Sequence, residues 1–371
     1  MNFFRKKPKS PRVLLESWSP VCNIQAFAEE SDTCIYFYLW RDPNTDHPQV
    51  KSCWVCNTVP APEDLDRAAM TAGNAPCMPR ASCAHAPGGI HPDPDALSIV
   101  WLEEGDGAAL LENGKILAFI PGWTWNNNGF PGYARHAVGT SALAWELTQA
   151  EPVLAPRVER SAAYWQTMEN GYWRPLQEGA LAAMEAFFGP HEKYFAIDGG
   201  KFPSKALVTG RKAGTRYAFT LGTSALCQPV VEQYHREDAG SYRRIELAFA
   251  AREDFPEEDW MKVLGLFPGI SGYPWREITW LGHGHTLLLP PDRLPGFAAF
   301  LLLDARELPG VPAPALPPVM GEPVTLLWCV PITQAEYDLA IQTNEPVILE
   351  KYRGAPEDLV VFDRTPKFLK E

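Results

Sequence analysis

Short apolar runs separated by turn residues dominate the first half of the chain. Residues 34–40 (CIYFYLW), 52–59 (SCWVCNTV) and 97–102 (LSIVWL) are rich in β-branched and aromatic side chains, and turn residues lie between them, so each is predicted to be a strand. Residues 108–120 (AALLENGKILAFI) set Asn113-Gly114 between two apolar runs. Both central positions of a two-residue hairpin turn need φ > 0, which Asn and Gly reach at least cost, so this stretch predicts a hairpin. Residues 62–72 (PEDLDRAAMTA) open with Pro62 and acidic side chains suited to the positive end of a helix, and predict a short one. From about residue 156 to 172 the spacing becomes helical, and this region is read as the bridge between two halves.

The second half opens on residues 175–190 (PLQEGALAAMEAFFGP). Leu176, Ala180, Leu181, Met184 and Phe187 or Phe188 keep helical spacing there; Pro175 opens the helix and Gly189-Pro190 closes it. YFAID, KALVT, YAFTLGT, RIELAFA, HTLLL, FAAFLLLD and VTLLWCV follow as strand candidates, with a helix around 259–266. Thr333 and Glu336 have the spacing of a capping box, which starts a helix at Thr333. The proline-rich stretch 309–323 reads as an exposed loop. The pattern is therefore α+β, in two domains, each a mostly antiparallel or mixed β-sheet flanked by helices. At 371 residues the chain is long for one core, and the boundary is expected between 1–172 and 173–371.

Composition narrows the class. A hydrophobic fraction of 46%, with 13 Trp, demands burial and excludes long disorder. The formal net charge is -12, from 33 Lys+Arg against 45 Asp+Glu, which disfavours nucleic acid or an anionic membrane as partner. Arg5, Lys6, Lys7, Lys9 and Arg12 make a basic start, but no apolar h-region follows and no run of 18 apolar residues occurs, so a cytoplasmic protein is expected. Several of the eight cysteines sit inside strand-like apolar runs and read as reduced, buried thiols.

The search for chemistry yields candidates rather than a motif. Neither GxxxxGK[ST] nor a GxGxxG after a strand is present, so no cofactor is expected. The string Leu221-Gly222-Thr223-Ser224 lacks the second glycine of a nucleophile elbow and reads as a strand end and turn. Cys53 and Cys56, followed by Cys77, Cys83, His85 and His91, have a spacing that can hold tetrahedral zinc. Against this, Trp54 and Val55 make the knuckle look like a strand, whose odd spacing would send Cys53 and Cys56 to opposite faces; no metal is expected, with zinc as the alternative. Glu103, Glu104 and Asp106 read as a solvated turn or as an acidic contact patch for a basic partner, since they lack the ligand spacing of a calcium loop. Gly282, His283, Gly284, His285 and Thr286 put two imidazoles two apart, on one face if the segment is extended. They are read as a turn entering a strand, without catalytic residues. The alternative is a hydrolase or metalloenzyme using His283 and His285 with a carboxylate from the N-terminal half, for which no third ligand is evident.

Five second-half segments in order resemble the suppressor of fused domain: YAFTLGTSALCQP (217–229), RRIELAFAAR (243–252), TWLGHGHTLLLP (279–290), FAAFLLLDA (297–305) and TLLWCVPITQAEYDLA (325–340). The likeness covers roughly residues 175–350. In the first half WVCN (54–57), IVWLEEGDGAALL (99–111) and FPGYAR (130–135) look like the extra domain that precedes it in bacterial members. The resemblance implies a non-enzymatic protein-binding module. Animal relatives clamp a short peptide as an added β-strand, and bacterial members are inferred to be immunity proteins that neutralise polymorphic toxins. The implied partner is thus a protein, a toxin; the acidic charge balance adds the expectation of a basic one such as a nuclease, met through Glu103, Glu104 and Asp106.

Overall fold

The computed structural model describes residues 11–126, 129–343 and 345–369; the basic residues Arg5, Lys6, Lys7 and Lys9 lie outside them. The chain divides into two compact units, one up to Glu169 and one from Asn170. Both mix sheets with helices, the α+β class that the pattern predicts.

In the first unit, β1 (Arg12–Trp18), β2 (Ile24–Glu30), β3 (Cys34–Arg41) and β4 (Gln49–Asn57) form an antiparallel sheet in chain order. After it comes α1 (Arg67–Thr71), which is shorter than the predicted 62–72. Arg67, Ala68, Met70 and Thr71 are exposed, so no packed face extends the helix. A second sheet holds β5 (Leu97–Trp101), β6 (Ala108–Glu112), β7 (Lys115–Ile120), β8 (Tyr133–Ala134) and β9 (Trp145–Glu146). Asn113 at φ 50° and Gly114 at φ 76° make the turn between β6 and β7, as their identities require.

The unit ends in α2 (Glu151–Glu169), which begins five residues earlier than the sequence pattern indicates and contains Pro156. Pro152 sits in the first turn, where its missing N–H is an orphan anyway. Pro156 forfeits one internal hydrogen bond. Packing offsets that loss: Val158, Ser161, Tyr164 and Met168 recur every three or four residues and are buried, and Val158 joins Leu102, Leu111 and Phe119 in a core under the second sheet.

In the second unit α3 (Trp173–Phe188) comes first, closed by Gly189 at φ 89°. The sheet order is β10 (Lys193–Ala196), β11 (Ala206–Lys212), β12 (Thr215–Leu221), β13 (Ile245–Arg252), β16 (Thr325–Ile332), β15 (Ala299–Asp304) and β14 (Thr286–Leu288), with β17 (Val361–Phe362) beside β13. Pairing is antiparallel except at β13–β16 and β13–β17, where it is parallel.

The strands of the second unit read as unbroken apolar runs because both faces of this sheet are covered. Val208, Phe219, Leu301 and Trp328 face Ala180, Met184 and Phe188 of α3. Leu207, Phe249, Phe300 and Cys329 face the other way, onto Trp260 and Val263 of α5 (Glu257–Leu264) and Phe267 of α6 (Phe267–Ile270). Between β12 and α5 lies the single-turn α4 (Val231–Tyr234), and α7 (Tyr273–Glu277) follows α6. Gly210 lets α3 approach the sheet: a Cβ there would lie 2.1 Å from the Phe188 ring. Thr333 caps α8 (Gln334–Gln342) in a capping box with Glu336. No helix among the described residues is long and apolar enough to cross a membrane.

Candidate functional site

The acidic string contradicts its expected role. Glu103, Glu104 and Asp106 are neither a solvated turn nor an exposed patch; they are only 4%, 4% and 2% exposed. Arg160 donates to Glu103 at 3.0 Å and Arg157 to Glu104 at 3.3 Å, from positions three apart on one face of α2. Gly105, at φ 76°, passes so close to Val21 that a Cβ would meet its side chain at 2.4 Å. Trp125 donates its indole N–H to the Asp106 carbonyl at 2.7 Å. The physical reason is tertiary: a helix that starts almost 50 residues later lays two guanidiniums over the turn, and carboxylates so neutralised can be buried. The pair Arg157 and Arg160 was the signal available in the sequence.

The thiols disperse. In β4 a bulge opposite Ile35 and Tyr36 resets the alternation, so Cys53 and Cys56 face Phe37 and Ile35, two positions apart on β3 and therefore on one face. The expectation of opposite faces fails for that reason. Even so, the Cys53 thiol donates to the Tyr133 carbonyl at 3.4 Å and the Cys56 thiol to that of Ile90 at 3.5 Å. Cys83 donates to Pro79, His85 contacts the Cys83 carbonyl, and His91 contacts that of Gly88. Among the described residues no three His, Cys, Asp or Glu side chains gather as metal ligands.

Gly282 to His285 form a turn that leads into β14 at Thr286. Gly284 takes φ 77° and its N–H donates to the Leu302 carbonyl at 2.8 Å, while the His285 carbonyl accepts from Leu302 at 2.8 Å, which docks the turn on β15. Gly282 leaves room for Trp280, whose ring a Cβ would meet at 2.2 Å. The backbone N–H of Asp304 donates to Nδ1 of His283 at 2.9 Å, which leaves the proton on Nε2, 3.9 Å from Glu307. His285 packs edge-on against Trp280 with ring centroids 4.5 Å apart. Burial is the main cause lowering its pKa, so it is held neutral. The carboxylates beside this turn are Glu307 and Asp304, and Asp304 is engaged by Arg306 at 2.8 Å. Nothing here supplies an acid/base pair with one histidine poised between substrate and carboxylate.

At the end of β12 the Leu221-Gly222-Thr223-Ser224 turn has a structural task that the sequence did not disclose. Glu246 on β13, 1% exposed, accepts the N–H of Gly222 at 2.9 Å, the N–H and hydroxyl of Ser224 at 3.0 and 2.6 Å, and the Thr220 hydroxyl at 2.6 Å. The Ser224 hydroxyl, itself 2% exposed, is thereby committed to a buried carboxylate that ties down the strand-end turn. A lone Glu inside the apolar run RRIELAFAAR was the only sequence signal of this anchor.

The open feature of the second unit lies just past GHGHT. β14 ends its sheet, and among the described residues no strand pairs with its outer side. Leu289 donates to Ala298 across the β15 side, so by alternation Leu287 also faces β15, while the N–H and C=O of Thr286 and Leu288 point outward. Beside this edge runs a groove of about 530 Å³ floored by Leu266, Ile270, Tyr273 and Leu289, with Arg276 and Arg293 among its lining residues. Leu288, 66% exposed, stands at its lip.

Comparison with known proteins returns the same family as the sequence segments. The structure described as the Sufu-Fu complex aligns at 12% identity and TM-score 0.36, over 52% of this chain and 91% of that one. Drosophila Suppressor of Fused aligns at 12% identity and TM-score 0.34, over 52% of this chain and 51% of that one. No curated protein matches the chain. The family model described as Suppressor of fused protein (SUFU) matches residues 202–365, so the likeness to that family resides in the segment, slightly under half of the chain, that carries the GHGHT turn, β14 and its groove.

Proposed function

We propose that this chain is a non-catalytic protein-binding module of the immunity type, which holds an extended segment of a toxin along the outer edge of β14. The free edge beside an apolar groove is the observation that carries this reading. An added strand gains main-chain hydrogen bonds from Thr286 and Leu288, and its alternate side chains enter the groove, giving affinity and specificity separately. Arg293 favours a segment with a carboxylate flanking its apolar residues, while Arg276 is already paired with Glu277 at 2.9 Å. The toxin as partner rests on the resemblance to bacterial members of the family. Contact through Glu103, Glu104 and Asp106 has no part in it, because all three are buried.

The test uses a toxin recovered by pull-down with the full chain, or found by inspecting the neighbouring genes, and calorimetric titration of the full chain. Leu288→Lys puts a charge at the groove lip, and Leu288→Pro removes an outward N–H without touching the β15 ladder. Each is expected to weaken binding about tenfold or more, a loss of about 1.4 kcal/mol, with the melting temperature unchanged. Full-strength binding by both variants places the contact elsewhere.

A further inference from the structure

Two thiols in the first unit are placed as a pair. Cys34 opens β3 and Cys77 lies in the loop after α1, and each thiol reaches a backbone carbonyl within two residues of the other cysteine. The two segments are laced together around them. The Cys34 thiol reaches the Ala75 carbonyl at 3.4 Å, the Cys77 thiol reaches that of Thr33 at 3.4 Å, and the Tyr36 hydroxyl donates to the Pro76 carbonyl at 2.8 Å. Seven cysteines are buried; Cys77 is half-buried.

From this juxtaposition we propose that Cys34 and Cys77 are a redox modification site that closes into a reversible disulfide when a hydroperoxide reaches Cys77. Thiols held against the backbone on either side of each other need a local approach and a change of side-chain torsion to reach the S–S length of about 2.05 Å. The two thiols differ as an attacking and a resolving thiol must. The neighbouring Cys34 and Thr33 side chains hold the Cys77 thiol down, at about 6, while Cys77 and burial push Cys34 well above the usual range. Burial also raises Cys22, Cys53, Cys56, Cys83 and Cys329, which leaves them protonated and slow to react.

The chemistry balances with the hydroperoxide as the one oxidant. The Cys77 thiolate attacks the outer oxygen, the O–O bond breaks, and the leaving hydroxide or alkoxide takes a proton from water. Cys34 sulfur then attacks the Cys77 sulfenic sulfur; the S–S bond forms, the S–O bond breaks, and the departing hydroxide leaves as water with the Cys34 proton. The two thiols lose two electrons together, and an external dithiol returns them.

The experiment treats the folded full-length chain with hydrogen peroxide and maps thiols by mass spectrometry of unreduced peptides. The expected first product is a peptide pair joined through Cys34 and Cys77, two of eight thiols lost, and full recovery with dithiothreitol. In Cys34→Ser the attack still occurs but nothing resolves it, so dimedone traps a sulfenic acid at Cys77. A second measurement on the unmutated chain needs no variant to fold. The alkylation rate of Cys77 by iodoacetamide should reach half its plateau near pH 6. Earlier oxidation of any other cysteine, a Cys77 sulfinic acid without the cross-link, or a half-plateau above about pH 8 overturns the proposal.

Discussion

Glu246 shows what a single buried carboxylate can organise. Four donors from Thr220, Gly222 and Ser224 converge on it, and replacing it leaves them without that acceptor in a site closed to water. Glu246→Ala should therefore cost about 3 kcal/mol, and Glu246→Gln about half that, since one carbonyl oxygen is retained. The reading is the urea midpoint with an unchanged slope; a shift within error would show that the turn holds itself. Histidine titration gives a second expectation at this scale. Burial lowers the pKa of His285 and of His136 from 6.5, so the unfolded chain takes up protons that the folded chain refuses. Stability is full above about pH 6.5 and is lost as pH falls toward the depressed folded values. Melting temperature should fall between pH 7 and 5, and His285→Gln should flatten that slope. An unaltered slope would assign the acid loss elsewhere. The two-residue spacing of His283 and His285 suggested a shared face, but that geometry belongs to strands, and β14 begins only at Thr286.

Elements whose determinants are neighbours in the chain were legible. Asn113-Gly114 and the Thr333–Glu336 capping box need partners no more than four residues away, and both form where the sequence places them. The start of α2 was not legible, because two prolines mask five residues of helix that packing against the second sheet sustains. The acidic turn was misread for the same kind of reason: its arginines stand 53 and 57 residues later, and spacing within a loop cannot announce a helix laid over it. That pairing makes a prediction. Arg157→Met takes a guanidinium from Glu104, whose side chain is 5% exposed, and should cost about 3 kcal/mol by removing a cation from a buried carboxylate. Arg157→Met with Glu104→Met should cost less than the first change alone. A double-mutant cycle in thermal or urea unfolding reads the coupling, and strict additivity would reduce the pair to an inert contact.

For the whole chain, the class was legible because seven strands in the second half are short apolar runs, with a helical pattern before them and another around 259–266. Their order in the sheet was not. Strands buried on both faces lose the alternation that reveals which side chains face which layer, and the parallel β13–β16 contact joins segments about 80 residues apart that carry no local sign of it. The same two-sided burial leads to a test of the division at Glu169–Asn170. From Asn170 onward the unit supplies cover for both faces of its own sheet, α3 on one and α5 with α6 on the other, so its core is complete without residues from the first unit. A fragment of residues 170–371 should then be soluble and unfold in one cooperative step, with far-UV and near-UV circular dichroism changing together. It also retains β14, the groove and both arginines, so it should take the toxin with the affinity of the full chain. A fragment that keeps far-UV signal but loses near-UV signal would mean that compactness by contacts is not independence in folding. One that folds but does not bind would leave the domain boundary standing and move the binding surface away from β14.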